Sequence, residues 1–596
     1  MRRLPPFLHE IFLLALTFAV PTLASNSHSV SNPPSAGQFD GPAELPRVLL
    51  KTSLADTPAP GSVRSVKQAD NLQQALDLAH CGDTLLLQAG AVFQTSIQIP
   101  EKHCDDAHWI IVRTSAPDAS LPPEGTRLTP CYAGVLMLPG RPDFHCKSQD
   151  NVLARIEFNG KAGSGPIFFL RGASHYRFIG LEITRSDSEA SITALASAKE
   201  GAIADHIIFD RVWMHGTAQD ETRRGLALKS MTYVAIVDSY FSDFHCVAVT
   251  GACGDSQAIT GGSGDDPGGP YKIVNNFLEA AGENIIFGGG PGTTTPTDIE
   301  IRGNHLFKPM IWMEGQPGFV GGRSGKPFIV KNHFELKNAE RVLFEANLLE
   351  NVWGGFSQAG FSILLTPKNQ NNQCPACRVT DITIRNVKIS NVGNLFQIAN
   401  ALSDAGGASS GGERYSIHDV LAEDVHFKDY KGFGNFALIM SIAPPLHDVR
   451  IEHVTAFVPH FLISIQSQHK MQGFTIANNL LSSEDLQFAS AGGGPQNCAF
   501  RPDAQGPTGV ISNCFEAGEF THNLIVGGSG WPAGNLTPKD LSAAGLTEKA
   551  GSSRYRPCRQ KNDLCKKSSP AIGAATDGRD IGADVDAIDR ALAGVS

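Results

Sequence analysis

Between Lys229 and Gln370 the chain sets out acids, amides and basic residues in short polar phrases that close apolar strands. Leu226-Ala-Leu-Lys229-Ser230 is one. Asp255-Ser-Gln257, Glu283-Asn284, Phe334-Glu335-Leu-Lys337-Asn338, Leu365-Thr-Pro-Lys368-Asn369-Gln370 and Phe396-Gln397-Ile-Ala-Asn400 are others. Glu283 and Glu335, with Asn284 and Asn338, supply hard oxygen ligands of the kind calcium takes. A lysine whose ammonium is destabilised by its surroundings can take a proton from carbon, and Lys337 is the candidate base. Glu335 and Lys337 are separated by one residue, so on a strand they share a side. Lys368 or Arg302 can bind an anionic substrate, and Lys229, Asp255, Gln257, Asn369, Arg223 and Arg224 are expected beside them. Further basic residues, Arg323, Lys326, Lys331, Arg341 and Arg378, lie in neighbouring loops.

Such a cluster forms only if distant segments stack, and the sequence contains a device for stacking. One phrase recurs: an apolar anchor, two variable residues, Asn, then apolar residues. Ile273-Val-Asn-Asn276, Ile301-Arg-Gly-Asn304, Phe344-Glu-Ala-Asn347, Ile476-Ala-Asn-Asn479 and Phe520-Thr-His-Asn523 carry it. Looser copies begin at Phe178, Phe209, Ile236, Ile384, Leu421 and Ile451. Recurrence at about 25 to 44 residues marks a solenoid. The segments are short, rich in β-branched and aromatic residues and broken by Gly and Asn, so the repeat unit is built of strands. The expected fold is all-β: a single right-handed parallel β-helix with loop insertions. The Asn suits a turn, tolerates a left-handed backbone and can hydrogen-bond to the next Asn in a stack. Ahead of the coils, Asn71 to His80 reads as a capping helix, with Asp70 as its N-cap.

The rest of the chain frames this domain. A basic Arg2-Arg3 pair, an apolar run from Ile11 to Val20 and Thr22-Leu23-Ala24 read as a signal peptide over residues 1–24. Residues 25–62 read as a flexible lead-in, 63–590 as the β-helix domain and 591–596 as a tail. All 12 cysteines follow the signal, as expected of a secreted or periplasmic protein stapled by disulfides. Short separations favour Cys246–Cys253, Cys374–Cys377, Cys498–Cys514 and Cys558–Cys565. With 41% hydrophobic and 18% charged residues and a formal net charge of -10, the chain gives no general reason to bind nucleic acid or an anionic membrane. No later apolar stretch is long enough to span a bilayer. A monomer is expected.

Asn71 to Gly90 resembles the capping helix and first strand of many exported β-helix proteins. Ser569-Pro-Ala-Ile-Gly and Asp580-Ile-Gly-Ala-Asp584 resemble their closing segment. Over roughly residues 65 to 590 the chain is similar to the pectate-lyase-like superfamily, which holds lyases, hydrolases, epimerases and adhesins. The Glu335-Leu-Lys337-Asn338 run resembles the acidic-then-Lys segment of the chondroitinase B and alginate lyase group. A groove along stacked coils fits a polymer. The expected activity is therefore cleavage of an acidic, uronic-acid-containing polysaccharide by β-elimination, with Glu283 and Glu335 holding calcium or the sugar. The alternatives are a glycoside hydrolase, using Asp255 with Glu283 or Asp265 with Asp266, and a non-catalytic glycan-binding surface. The Asp265-Asp266 pair lies among glycines and reads as a turn. His215, His245 and His305 read as turn or surface residues.

Overall fold

The structure is a computed structural model. It describes residues 37–595 except 200, 249–250, 252, 356–357, 549–554 and 561–566. Residues 1–24, expected to be a signal peptide, lie outside the described residues, as does the start of the expected lead-in.

The chain winds into a right-handed parallel β-helix. The anchors of successive coils fall in one register. Val112, Phe178, Phe209, Ile236, Ile273, Ile301, Phe344, Ile384, Ile417, Ile451, Ile476 and Phe520 pair in turn, all in parallel. One anchor differs from the sequence reading. Ile417, not Leu421, holds the place, because Leu421 pairs with Lys388 and packs outward against Val585 and Ile588. The inward side chains, mostly Ile, Phe, Leu and Val, merge into one continuous core.

The asparagines do the stacking expected of them. Asn276 Nδ2 donates to Asn304 Oδ1 at 3.0 Å, and Asn304 Nδ2 to Asn347 Oδ1 at 3.0 Å. A second ladder joins Asn479, Asn523 and Asn535. The left-handed residue is, however, the one before the Asn: Asn275, Gly303, Ala346, Asn478 and His522 have φ between 52° and 62°. The turn strain sits on one residue and the hydrogen bonding on the next.

The helix at the N-terminal end runs from Leu72 to Asp77, with Leu72 and Leu76 buried against the first coil. Its N-cap is Asn71, which accepts from the Gln74 amide; Asp70 accepts instead from the Lys67 amide in the preceding turn. The lead-in, expected to be flexible, is laid along the sheet from residue 38 onward. Asp40 pairs with Arg385, the Glu44 amide donates to Asp381 and the Arg47 amide to Asp298. Lys272 donates to the Leu50 carbonyl and Arg177 to the Ser53 carbonyl. This strap crosses the coils against their winding direction. It stays in place because it satisfies polar groups on each coil it passes. At the other end, Asp584 caps a helix over Val585–Ala591 that packs back on the strands 378–392 and 411–425.

Cys246–Cys253, Cys374–Cys377 and Cys498–Cys514 are bonded as expected. Cys81–Cys104 and Cys131–Cys146 complete two further local staples. Cys558 is also disulfide-bonded, and Cys565 lies outside the described residues.

Candidate functional site

One side of the solenoid is a 12-stranded parallel sheet. It includes the strands Arg224–Ala227, Gln257–Gly261, Glu283–Phe287, Phe334–Leu336 and Phe361–Leu365. Alternation within each strand fixes what faces out. Ile259, Ile285, Phe334 and Ile363 stack inward in register, and Thr260, Ile286, Glu335 and Leu364 form the next row. At the leading edge, Arg224, Gln257 and Glu283 are direct register partners. Arg224 Nε donates to Gln257 Oε1 at 3.0 Å, and Gln257 Nε2 donates to Glu283 Oε2 at 2.9 Å.

Around this row the other charges converge. Lys331 Nζ lies 3.0 Å from Asp255 Oδ1 and 3.6 Å from Glu283 Oε1. Lys337, just past the end of the strand, places its Nζ 2.7 Å from Glu335 Oε1, and Asn332 Nδ2 donates to Glu335 Oε2 at 2.8 Å. The close approach of Lys337 is made possible by Gly288. Its φ is +102°, and a Cβ there would lie 2.7 Å from the Lys337 Cβ.

Three carboxylates and two ammonium groups thus share one site, with Glu283 and Glu335 buried and Asp255, Lys331 and Lys337 partly exposed. Burial, then the charge of Asp255, pushes Glu283 well above the usual carboxylate range. Burial also acts on Asp255 and Glu335, but Lys331 outweighs it for Asp255, and Lys337 with Asn332 outweighs it for Glu335; both acids are held low. Burial draws both lysines down, yet the acids outweigh it and keep them charged. Arg224 is pushed down to about 10 by burial and by its neighbour Arg223. Glu283 is thus driven toward its neutral form, while Asp255, Glu335, Lys331 and Lys337 are held toward their charged forms.

The remaining candidates divide. Lys368 reaches the rim: its amide donates to the Lys337 carbonyl and its Nζ pairs with Asp404 at 3.0 Å. Lys229 passes beside Gly264. Asn284 is not on this face. It is fully buried, donates to the Leu278 and Phe307 carbonyls and accepts from Lys308, because neighbours on a strand point to opposite sides. Asn338 accepts from Thr295 and donates to the Gly262 and Thr294 carbonyls; Asn369 accepts from the Cys374 amide and donates to the Ala408 carbonyl. Both tie loops together. Arg302 lies on the other sheet, paired with Glu300 and Glu345. His245 and His305 are buried rather than superficial. Asp266 accepts from Ser230 and the Gly201 amide, as a turn residue would. Lys331 was visible only as a loop cation, and Asn332 had no notice. Their signal was position: Lys331-Asn332-His333 leads directly into Phe334-Glu335.

The donors suit a hard divalent cation. Asp255, Glu283 and Glu335 offer carboxylate oxygens, and the buried Oδ1 of Asn332 has no hydrogen-bond partner in the protein.

No protein-family model matches the chain, and no curated protein matches it. Solved structures do. The likeness is to pectate-lyase-like β-helix proteins. A mannuronic acid specific polysaccharide family 6 lyase from human gut microbiota matches at 12% identity and TM-score 0.45, over 78% of this chain and 86% of its own. An alginate lyase from Paenibacillus sp. str. FPU-7 matches at 13% identity and TM-score 0.29, over 72% and 96%. A Yersinia enterocolitica family 28 exopolygalacturonase matches at 10% identity and TM-score 0.33, over 72% and 77%. At these values the fold rests on the strand pairings and the site on its own geometry.

Proposed function

We propose that the protein is an exported polysaccharide lyase that cleaves an acidic, uronic-acid-containing glycan by β-elimination at the Asp255–Glu283–Lys331–Glu335–Lys337 cluster. The observation that supports this best is the convergence of three carboxylates and two lysines on adjacent coils, at an edge where Arg224 also arrives.

Elimination asks three things of a site. The uronate carboxylate must be neutralised, a proton taken from the adjacent carbon, and the leaving oxygen protonated. Asp255, Glu283, Glu335 and the Asn332 amide oxygen would hold calcium, which when bound supplies the charge that neutralises the uronate. Arg224 and Lys368 stand on either side to bind the remaining anionic groups. Lys337 takes the proton. In the protein alone Glu335 holds it charged. A cation held by those carboxylates would offset the charges that keep Lys337 protonated, and its burial would then favour the neutral amine. Lys331, kept charged by Glu283 and Asp255 against its burial, is placed to return a proton to the leaving oxygen.

The hydrolase alternative asks for two carboxyl groups about 5 Å or more apart with the sugar between them. Asp255 and Glu283 instead lean on one ammonium, that of Lys331. The deciding assay offers polymannuronate, polyguluronate, pectate and chondroitin to the protein with calcium or with chelator. Ultraviolet absorbance of unsaturated ends appearing with reducing ends is the expected result. Reducing ends without absorbance would replace the lyase by a hydrolase, and neither would leave a binding surface.

A further inference from the structure

On the opposite sheet, where the strap passes the first coils, two histidines stack. His175 and His206 occupy successive rungs: Ser174 pairs with Asp205, and Tyr176 with Ile207. Both have positive φ, 59° and 53°, which turns their side chains out at the same level. Their rings are parallel, with centroids 4.3 Å apart, and Tyr233 of the next rung stacks on His206 at 4.5 Å. The loop that follows the Cys81–Cys104 disulfide brings Asp106 against them, with Oδ1 3.3 Å from His175 Nε2. One ligand atom from each of Asp106, His175 and His206 lies within 4.8 Å of the others.

The second nitrogens are already engaged. His206 Nδ1 bonds Asp205 Oδ2 at 2.6 Å, and His175 Nδ1 bonds Ser174 Oγ at 2.7 Å. A carboxylate or hydroxyl on Nδ1 is the partner that orients a metal-binding imidazole and raises the basicity of its Nε2. The site opens on a cavity of about 430 Å³, lined also by Trp109, Tyr233 and by Lys51 and Asp56 of the strap.

We propose that Asp106, His175 and His206 bind one divalent transition-metal ion of the zinc class, which staples the 105–109 loop to the second and third coils. Two imidazoles and one carboxylate are a ligand set that zinc accepts, with the fourth position left to water. Metal–ligand bonds of about 2.0–2.1 Å require the donors to draw in and the ring planes to tilt from parallel. Asp106 and His206 are the parts free to do so, since neither is buried. The site shares no residue with the proposed catalytic cluster.

The test titrates the full chain, without a histidine tag, with Zn2+ in a calorimeter at neutral pH. Copper quenching of tryptophan emission is a second readout, because Trp109 lies edge-on to both rings at 5.0 and 6.3 Å. One equivalent binding at micromolar or tighter Kd is expected. His206→Ala and Asp106→Ala should each weaken it by at least ~10-fold while circular dichroism stays unchanged. The Trp109 quench should disappear with the same variants. Absence of binding below millimolar Zn2+, or equal affinity in wild type and both variants, overturns the proposal.

Discussion

Two faces of this solenoid carry stacked charges, and they differ in how the charges are matched. Under the strap, a series of acids meets arginines from their own or an adjacent coil. Arg177 and Arg211 both hold Asp210 at 2.7 Å, Arg341 holds Asp298 at 2.8 Å, and Arg414 holds Asp381 at 2.8 Å. Arg302 and Arg385 share Glu345 in the same manner. The fork of a guanidinium satisfies both carboxylate oxygens, so these pairs are closed. On the 12-stranded sheet, three carboxylates compete for two lysines, and burial with the charge of Asp255 works against ionisation of Glu283. A column of charge is common to both faces; the second sets three carboxylates against two lysines and pushes Glu283 toward its neutral form. That imbalance separates a site from a seam.

The comparison can be broken by substitution. The largest effect is expected from Lys337→Ala, which should lower turnover of the preferred polyuronate by about 10³-fold while leaving the thermal midpoint in place. A variant that loses its fold, or that cleaves normally, would make Lys337 a seam residue. Next is Arg177→Ala. It removes a fully buried guanidinium from Asp210, Thr57 and the strap, and denaturant unfolding should show a loss of about 3 kcal/mol with kcat unchanged.

A smaller effect should come with pH. His418 donates to Asp40 of the strap and to Asp419. Burial opposes its charge, but these partners raise its pKa to about 9, while Asp40 is lowered to about 2. A raised histidine stabilises the fold fully below its ordinary pKa of about 6.5 and loses that contribution as pH climbs through 9. Stability should therefore fall by about 1–2 kcal/mol between pH 6.5 and 9.5, after allowance for partial exposure, with proteolysis of the strap rising in parallel. His418→Gln should flatten that slope; an unchanged slope would acquit the pair. The smallest expected effect is that of Arg302→Ala, within twofold of wild-type kcat/KM, because this arginine belongs to the closed face. A tenfold loss would place substrate on the wrong side of the molecule as described.

These contrasts also explain what the sequence revealed. Anchor and Asn recur because each coil must fill the same interior and satisfy the same turn, so the fold was readable from Ile273, Asn276 and their equivalents. Leu421 was misread because Ile417 and Leu421 both head apolar runs, and with Val420 in the place of Asn nothing marks the true register. In the site, Glu283, Glu335 and Lys337 were legible because strand parity is local. Asn284 was misplaced through the same parity, ignored for an adjacent pair. Arg302 was misplaced because a repeat shows how often a coil turns, but not which of its sides a loop-flanking residue joins. Lys331 and Asp255 come together across 76 positions, and no pattern in either neighbourhood announces the meeting.

The last turn of the chain has its own consequence. Val585, Ile588 and Val595 cover Leu348 and Leu421, and the Val595 carbonyl accepts from Arg127, a residue of the first coils. A solenoid can otherwise grow coil by coil as it emerges, each turn needing only the one before. Here Arg127 waits for a partner 468 positions downstream. During synthesis the middle coils remain unlatched, and the finished protein is secured by a late clasp. The order of assembly is thus written into where the tail comes to rest.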